Sequence, residues 1–445
     1  MAIQYSLSKT GDRLCREVFP AETMLGAVEL KMAEKPAIKG FLGTGVAMTG
    51  ASCYLLSKMD AEKRTELLRS IFTPEGLGLS VIRISIGASD YSAELYSYDD
   101  VAGDTELKHF SVERDERYVI PMIKEALKVN PGLYVFASPW SPPGWMKTGG
   151  MLCGGHMRDM YTECFAEYVV KFIKAYGERG IKISAITPQN EPENHQYAKM
   201  PACVWSPDTE AKYVVELRKK LEENGLDTEI WMYDHNFSGI DRVLWTLDTH
   251  PEAARAVNGV AFHYYGGNVE QTVKLKEKYP HLKLHFTEAG PRLYDNYDKD
   301  VCKWTIMMCR ALCCGYSSFT GWNLMLDETG WPNVGPFGCG GLVTRNSTTG
   351  DISYSGQYRA FELVAKHVTP NSEIYPLVSD EAYQSAMFRY PKINLPCEGI
   401  AIENGGRLTV IAVNPDPAKK QVQLYLRGSK WYAELMPETV SVIEL

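Results

Sequence analysis

The sequence has no run of about 18 apolar residues, so no segment is expected to cross a membrane as a helix. It also lacks an excess of positive charge. A net charge of -8 argues against nucleic acid or an anionic lipid surface as partner, since both select basic faces. The opening residues, MAIQYSLSKTGDRLCREVFP, have no charged segment followed by an apolar stretch. No secretory signal is visible there, and a cytoplasmic location is expected. Low-complexity tracts and internal repeats are absent, which excludes solenoid and disordered classes. The eleven cysteines are odd in number and irregular in spacing, which points to a reducing compartment rather than a disulfide framework. Cys302, Cys309, Cys313 and Cys314 fall near one helix face without a CxxC pair, so they read as packed thiols and not as a metal site. No metal and no organic cofactor is expected.

What remains is a globular chain rich in aromatics, with nine Trp and 26 Tyr, a composition that suits both core packing and stacking on sugar rings. Its 445 residues fit a barrel of roughly 250 residues plus a smaller module. From about residue 41, short apolar runs alternate with amphipathic segments. The candidate strands are Gly43–Met48, Ser80–Ile86, Leu133–Ser138, Lys182–Thr187, Glu229–Tyr233, Gly259–His263, Lys283–Thr287 and Ser318–Trp322. A doubly wound sheet fits the same alternation, but a count of eight favours a closed (β/α)8 TIM barrel. Helix signals lie between the strands. Phe165, Tyr168, Val169, Phe172, Ile173 and Tyr176 form one stripe, Ser206-Pro207-Asp208 starts the next helix and Gly225 ends it. Ser57 with Asp60 and Glu62 is expected to start the helix after the first strand.

Beyond about residue 366 the texture changes to short strand-like runs: Ala382–Phe388, Gly399–Ile402, Leu408–Val413, Gln421–Leu426, Trp431–Leu435 and Thr439–Ile443. Ile3–Ser6 and Gly26–Met32 are expected to complete this module. The domains are therefore a barrel over 41–365 and a β-sandwich side domain from 1–40 plus 366–445.

Active residues of such barrels sit at the C-terminal ends of strands. Those positions hold Ser89-Asp90-Tyr91, Ser138-Pro139-Trp140, Gln189-Asn190-Glu191-Pro192, His263-Tyr264-Tyr265, Thr287-Glu288-Ala289 and Trp322-Asn323. Glycoside hydrolysis needs two carboxyl groups flanking the bond. Glu191 and Glu288 end strands three units apart at roughly 32 residues per unit, which places them across one barrel mouth. Each alone reads as an ordinary surface glutamate; their joint placement favours the catalytic reading.

The chain resembles glycoside hydrolase family 30, and within it the glucosylceramidase branch. The resemblance is carried by Gly45-Val46-Ala47-Met48-Thr49, Phe72-x-x-Glu75-Gly76-Leu77-Gly78, Arg83, Ala137-Ser138-Pro139-Trp140-Ser141-Pro142-Pro143-x-Trp145-Met146-Lys147-Thr148, Gln189-Asn190-Glu191-Pro192, His263-Tyr264-Tyr265 and Trp322-Asn323-Leu324. It implies a retaining two-step mechanism, with Glu288 as nucleophile and Glu191 as acid/base. It also implies that Asn190 meets the sugar 2-hydroxyl, that Asp90, Trp140 and Trp322 hold the terminal glucose, and that Tyr265 stands near the nucleophile. Arg83 reads either as a charge supporting Glu288 or as a structural ion pair, and Trp145 as plain packing. Glu191 is expected to have a raised pKa, from burial and its neighbouring carboxylate.

Three places depart from the family pattern: Gly50, Tyr264 and the loop Asp327–Leu342. They put the leaving group in question. The expected partner is a β-glucoside, glucan or glycolipid substrate. β-1,6-Glucan, β-xylosides and β-fucosides stay open, as does, more distantly, a carbohydrate-binding protein without catalysis. A Schiff-base aldolase does not fit, because Lys182 and Lys283 lie at strand beginnings.

Overall fold

Eight parallel strands close a barrel in the order Gly43–Ala47, Val81–Ile86, Tyr134–Pro139, Ala185–Ile186, Glu229–Asn236, Gly259–His263, Lys283–Glu288 and Tyr316–Gly321. The computed structural model describes residues 2–22, 24–295, 297, 300–379 and 396–445. Parallel barrel strands are covered on both faces, so burial runs along the strand instead of alternating. Gly43–Ala47 and Gly259–His263 are buried at every position. Strands one and two approach so closely that a Cβ on Gly45 would lie 2.3 Å from the Val81 carbonyl oxygen, a contact only glycine avoids.

All eight expected strands are present, with two differences that matter for the mouth. The fourth is only Ala185–Ile186, shorter than the expected Lys182–Thr187. The fifth runs on to Asn236 through a bulge, where Tyr233 pairs with Ala261 and His235 with Phe262, leaving Asp234 between them.

The helices start where short polar side chains satisfy their first amide groups. Ser206 accepts from the Thr209 amide with Pro207 in the first turn, as expected. The expected start at Ser57 is corrected: Ser57 is the last residue of a separate helix, Gly50–Ser57, capped by Thr49. The next helix, Ala61–Phe72, is capped by Asp60, which accepts from the amides of Glu62 and Lys63. Cys302, Cys309 and Cys313 lie on the helix Val301–Cys313, with Cys314 at its end. Burial pushes the Cys302 thiol up to about 12 and raises the Cys309 thiol well above its ordinary value, which keeps both protonated.

The second architecture is a ten-stranded sheet that turns back on itself, since Glu373–Ser379 pairs with both Val28–Met32 and Glu398–Asn404. Both chain ends meet in it: Ala2–Ser8 lies between Arg13–Pro20 and Thr439–Glu444. Its core includes Leu30, Ala401, Val410, Val422, Leu424, Leu435 and Ile443. The hairpin Glu398–Asn404 to Arg407–Asn414 turns through Gly405 and Gly406, at φ 58° and 83°, the left-handed pair that a two-residue hairpin favours. Arg13–Pro20, Ile38–Lys39 and Glu373–Ser379 are strands that the sequence pattern alone did not suggest. The expected strand Ala382–Phe388 lies outside the described residues.

By internal contacts the chain divides into Met1–Thr44, Tyr294–Ser317 and Tyr354–Leu445 as one unit, and Gly45–Leu293 with Ser318–Ser353 as the other. The segment Tyr294–Ser317 thus groups with the sheet, against which its helix Val301–Cys313 packs. Among the described residues no helix is long and apolar enough to cross a membrane.

Candidate active site

Glu288 is the last residue of the seventh strand and is 6% exposed. Glu191 follows the two-residue fourth strand in a left-handed conformation at φ 51°. Its segment is held on both sides. The Asn190 amide donates to the Pro139 carbonyl at 2.8 Å and the Glu191 amide to the Asp234 carbonyl at 3.0 Å. The geometry brings a carboxylate oxygen of Glu191, a ring nitrogen of His263 and a carboxylate oxygen of Glu288 within 4.8 Å of one another.

Arg83, from the second strand and fully buried, organises the floor. It donates to Glu288 Oε2 at 2.5 Å, to Asp234 Oδ2 at 2.8 Å, to Asn190 Oδ1 at 2.8 Å and to Ser138 Oγ at 3.2 Å. Both readings of Arg83 therefore hold together, as a buried ion pair with Asp234 and as a charge set directly on Glu288. Asp234 also accepts from Ser138, Thr187 and Thr287 at 2.9, 2.7 and 2.6 Å. Burial alone would raise its pKa, but the charges of Arg83 and His263 outweigh it and hold the carboxyl far below its usual range.

His263 stands between the carboxylates. Nδ1 is 3.2 Å from Glu191 Oε1 and Nε2 is 2.9 Å from Asp234 Oδ1. Burial works against its charged form, yet the charges of Glu288 and Asp234 raise it to about 9. At neutral pH it is an imidazolium that donates on both sides. The expected rise at Glu191 is not found in the substrate-free protein. Burial raises that carboxyl, but the hydrogen bond from His263 and the charges of His235 and His263 bring it below its ordinary value. The carboxyl thus rests charged while its neighbour holds a proton.

The Tyr265 hydroxyl donates to Glu288 Oε1 at 3.0 Å and accepts from the Gly290 amide at 3.0 Å. Asp90, Trp140, Asn190 and Trp322 line the same cavity as the two glutamates. The Trp140 and Trp322 rings stack with centroids 5.1 Å apart. Asp90 Oδ1 has no hydrogen-bond partner among the described residues, and burial, reinforced by the charges of Glu288 and Glu191, raises its carboxyl well above the ordinary value. A buried group of this kind is completed by a ligand hydroxyl. All eight residues singled out in the sequence therefore converge on one site. Trp145 does not line the cavity; its indole donates to the Asp99 carbonyl at 3.0 Å and its ring meets Tyr161 edge-on, which is packing.

Of the departures from the family pattern, the loop Asp327–Leu342 borders the cavity through Phe337 and Cys339. The Tyr91 hydroxyl donates to the Phe337 carbonyl at 2.7 Å and accepts from the Cys339 amide at 2.8 Å, while the Val334 amide donates to the Asp90 carbonyl at 2.7 Å. Gly50 packs against Ser92 and Tyr264 against the Tyr265 ring.

Sequence reasoning missed Asp234, His235, Asn236 and Gln196, and named His263 only as a strand-end residue. The available signal for the first three was Asp234-His235-Asn236 directly after the expected fifth strand, Glu229–Tyr233. Glu191, His263 and Glu288 also form the grouping best placed to hold a cation. These groups are already engaged with one another and with Arg83, which holds Glu288 Oε2, while His263 lies between Glu191 and Asp234.

The model of the glycosyl hydrolase family 30 TIM-barrel domain matches residues 38–339. A putative glucosylceramidase of Caenorhabditis elegans is 28% identical over 83% of this chain and 76% of its own length. An endo-1,6-β-D-glucanase of Neurospora crassa is 30% identical over 73% of this chain and 68% of its own. The solved structure of an endo-β1,6-glucanase superposes with a TM-score of 0.84 at 25% identity, covering 100% of this chain and 98% of that one.

Proposed function

The chain belongs to glycosyl hydrolase family 30, and on that premise we propose that it cleaves β-glucosides with Glu288 as nucleophile and Glu191 as acid/base. It is a glycosidase with a retaining mechanism. The observation that carries the assignment of roles is the close approach of the two carboxylates, within 4.8 Å by their nearer oxygens. Retaining enzymes set the pair about 5–5.5 Å apart, whereas inverting enzymes leave about 6.5–9.5 Å for a water.

Only one of the pair has the partners of a nucleophile. Glu288 must attack as a carboxylate, and the fixed charge of Arg83 with the Tyr265 hydroxyl supports that state. Glu191 must give up a proton and take one back, and its partners include the His263 imidazole. In the first step a Glu288 oxygen bonds the anomeric carbon as the bond to the leaving oxygen breaks, and that oxygen takes a proton from Glu191. The His263 Nδ1 proton, already directed at Glu191 Oε1, is the source for that acid, and Asp234 then holds the neutral ring by Nε2–H. In the second step Glu191 removes a proton from water as its oxygen displaces Glu288 from the sugar. Stacked Trp140 and Trp322, with Asp90, form the wall suited to the glucose ring.

The test is hydrolysis of aryl β-glucoside, β-xyloside, β-fucoside and β-galactoside alongside glucosylceramide and a β-1,6-linked disaccharide. Turnover of the aryl glucoside with retained anomeric configuration is expected. Inversion would mean that no glycosyl-enzyme forms and that one carboxylate activates water instead of attacking the sugar, and silence on every glycoside would leave a carbohydrate-binding protein.

A further inference from the structure

On the leaving-group side of the cavity two buried acceptors are without partners among the described residues: Gln196 Oε1 and Asn236 Oδ1. Both residues line the cavity that holds Glu191 and Glu288. They are assigned to the leaving-group side by the logic of the reaction, because the acid/base must face the leaving oxygen, Gln196 is hydrogen-bonded to it and Asn236 lines the same cavity. The Gln196 side-chain amide donates to Glu191 Oε2, the carboxylate oxygen that His263 does not bind. Asn236 follows His235, whose Nε2 lies 3.9 Å from Glu191 Oε1.

Gln196 is held there at a backbone cost. It and the next two residues, Tyr197 and Ala198, all have left-handed φ, at 51°, 52° and 54°. Such a run of non-glycine residues is unfavourable unless the surroundings impose it. Here the Asn194 side chain accepts from the Gln196 amide at 2.8 Å, and the turn buries Gln196 to 3% exposure while Tyr197 stays 76% exposed. The Gln196 amide is thus fixed by Glu191 in one orientation, with its NH2 group committed and its oxygen left open. An acceptor that cannot rotate away demands a donor from the ligand.

We propose that Gln196 and Asn236 form the leaving-group subsite and that they accept hydrogen bonds from a leaving group rich in hydroxyls, a second sugar residue in preference to a lipid. This rests on the glycosidase reading above and adds the class of leaving group to it. A sugar offers hydroxyl donors on neighbouring carbons to both oxygens. A hydrocarbon chain laid across them leaves buried acceptors unpaired, and a ceramide headgroup brings fewer donors beside the glycosidic bond than a sugar ring does, which disfavours it.

The experiment uses the full chain and two substrates that share the glucosyl group. β-Glucosyl fluoride has a leaving group without hydroxyls, and gentiobiose has a second glucose in β-1,6 linkage. Asn236→Leu keeps the approximate shape and removes the acceptor, while Gln196→Met removes both the acceptor and the donor to Glu191 Oε2. The ratio of kcat/KM for gentiobiose to that for glucosyl fluoride is expected to fall about tenfold in each variant. Because both substrates are read on one preparation, loss of folded protein cancels. A second readout is the partition of the glycosyl-enzyme formed from glucosyl fluoride between water and added glucose; transfer to glucose should fall by a similar factor. Because a weakened Glu191 would by itself lower the gentiobiose ratio, the partition decides: an unchanged partition between water and glucose would reduce Gln196 and Asn236 to scaffolding for Glu191 and overturn the subsite. Native turnover of glucosylceramide in detergent micelles without turnover of gentiobiose would overturn the preference for a sugar. If the native protein leaves glucosyl fluoride intact, the glycosidase reading falls first, and this inference with it.

Discussion

The two sides of the cavity are built from different materials. On the nucleophile side Glu288 closes a six-residue strand, and its oxygens meet a guanidinium that is always charged and a phenol. The acid/base side is irregular. Glu191 has a left-handed backbone after a strand of only two residues, and its oxygens meet an imidazole and an amide. The difference follows from the chemistry each side performs. A nucleophile that must stay ionised is best served by partners that never change charge. A group that alternates between acid and base needs partners that can trade a proton with it. The site thus keeps fixed charge under one carboxyl and titratable charge beside the other.

The largest effect should come from breaking the fixed side. Glu288→Gln removes the attacking oxygen and should lower turnover of every glycoside by about 10⁴-fold or more, including those with excellent leaving groups. Steady-state rates on aryl and alkyl glucosides check this. Surviving turnover of an activated glycoside would move the nucleophile elsewhere. Arg83→Met should act on the fold as well as on the rate. It strands Asp234 and Glu288 as buried carboxylates, and breaking a buried pair from one side costs about 3–5 kcal/mol. Denaturant unfolding followed at the barrel tryptophans reads the loss. A neutral result would mean that Asp234 simply takes up a proton when Arg83 is gone.

Glu191→Gln should affect substrates unequally, which no purely structural role would do. Glycosides with poor leaving groups should lose about 10²–10⁴-fold, because glutamine has no proton to give. Activated aryl glycosides should keep their first step and stall at the second, giving a burst followed by slow turnover. Uniform loss across leaving groups would contradict the acid/base role.

The same contrast explains what could be read from the sequence. Glu288, Trp140 and Trp322 sit at or just past the ends of strands that are buried along nearly their whole length, so locating the strand located the residue. Asp234 escaped because periodicity assumes that side chains alternate along a strand. The left-handed Tyr233 and Asp234, at φ 77° and 60°, break that alternation and turn the Asp234 carboxyl to Arg83 and His263. Gln196 escaped for a related reason: three successive left-handed residues, none of them glycine, leave no turn signature in sequence. The pKa of Glu191 was misjudged for want of the imidazoles. In the sequence its partner was expected to be another carboxylate, whereas His263 and His235 come from strands six and five. The ten-stranded sheet was only partly legible, because its strands pair across the whole chain, as Ala2–Ser8 does with Thr439–Glu444. No local pattern records a partner that distant.

The smallest effect, and the most direct probe of the titratable side, is the pH dependence of stability. His263 is fully buried between Asp234 and Glu191, with Glu288 Oε2 3.8 Å from its Nε2. Folding raises its pKa from the ordinary 6.5 to about 9. A raised value means that the folded state binds the proton more tightly than the unfolded one. The stabilisation is therefore complete below about pH 6.5 and is lost as pH rises through about 9. Lys147 works in the opposite sense nearby: burial lowers its ammonium to about 8, so its cost is relieved as pH rises above that value. The two are separated by difference. In His263→Gln, which keeps a side chain able to reach both carboxylates but cannot titrate, the decline in Tm between pH 6.5 and 9 should be shallower than in the native protein, by on the order of 2 °C. Parallel curves would mean that His263 is neutral in the folded state, and the proton for Glu191 would then have to come from solvent.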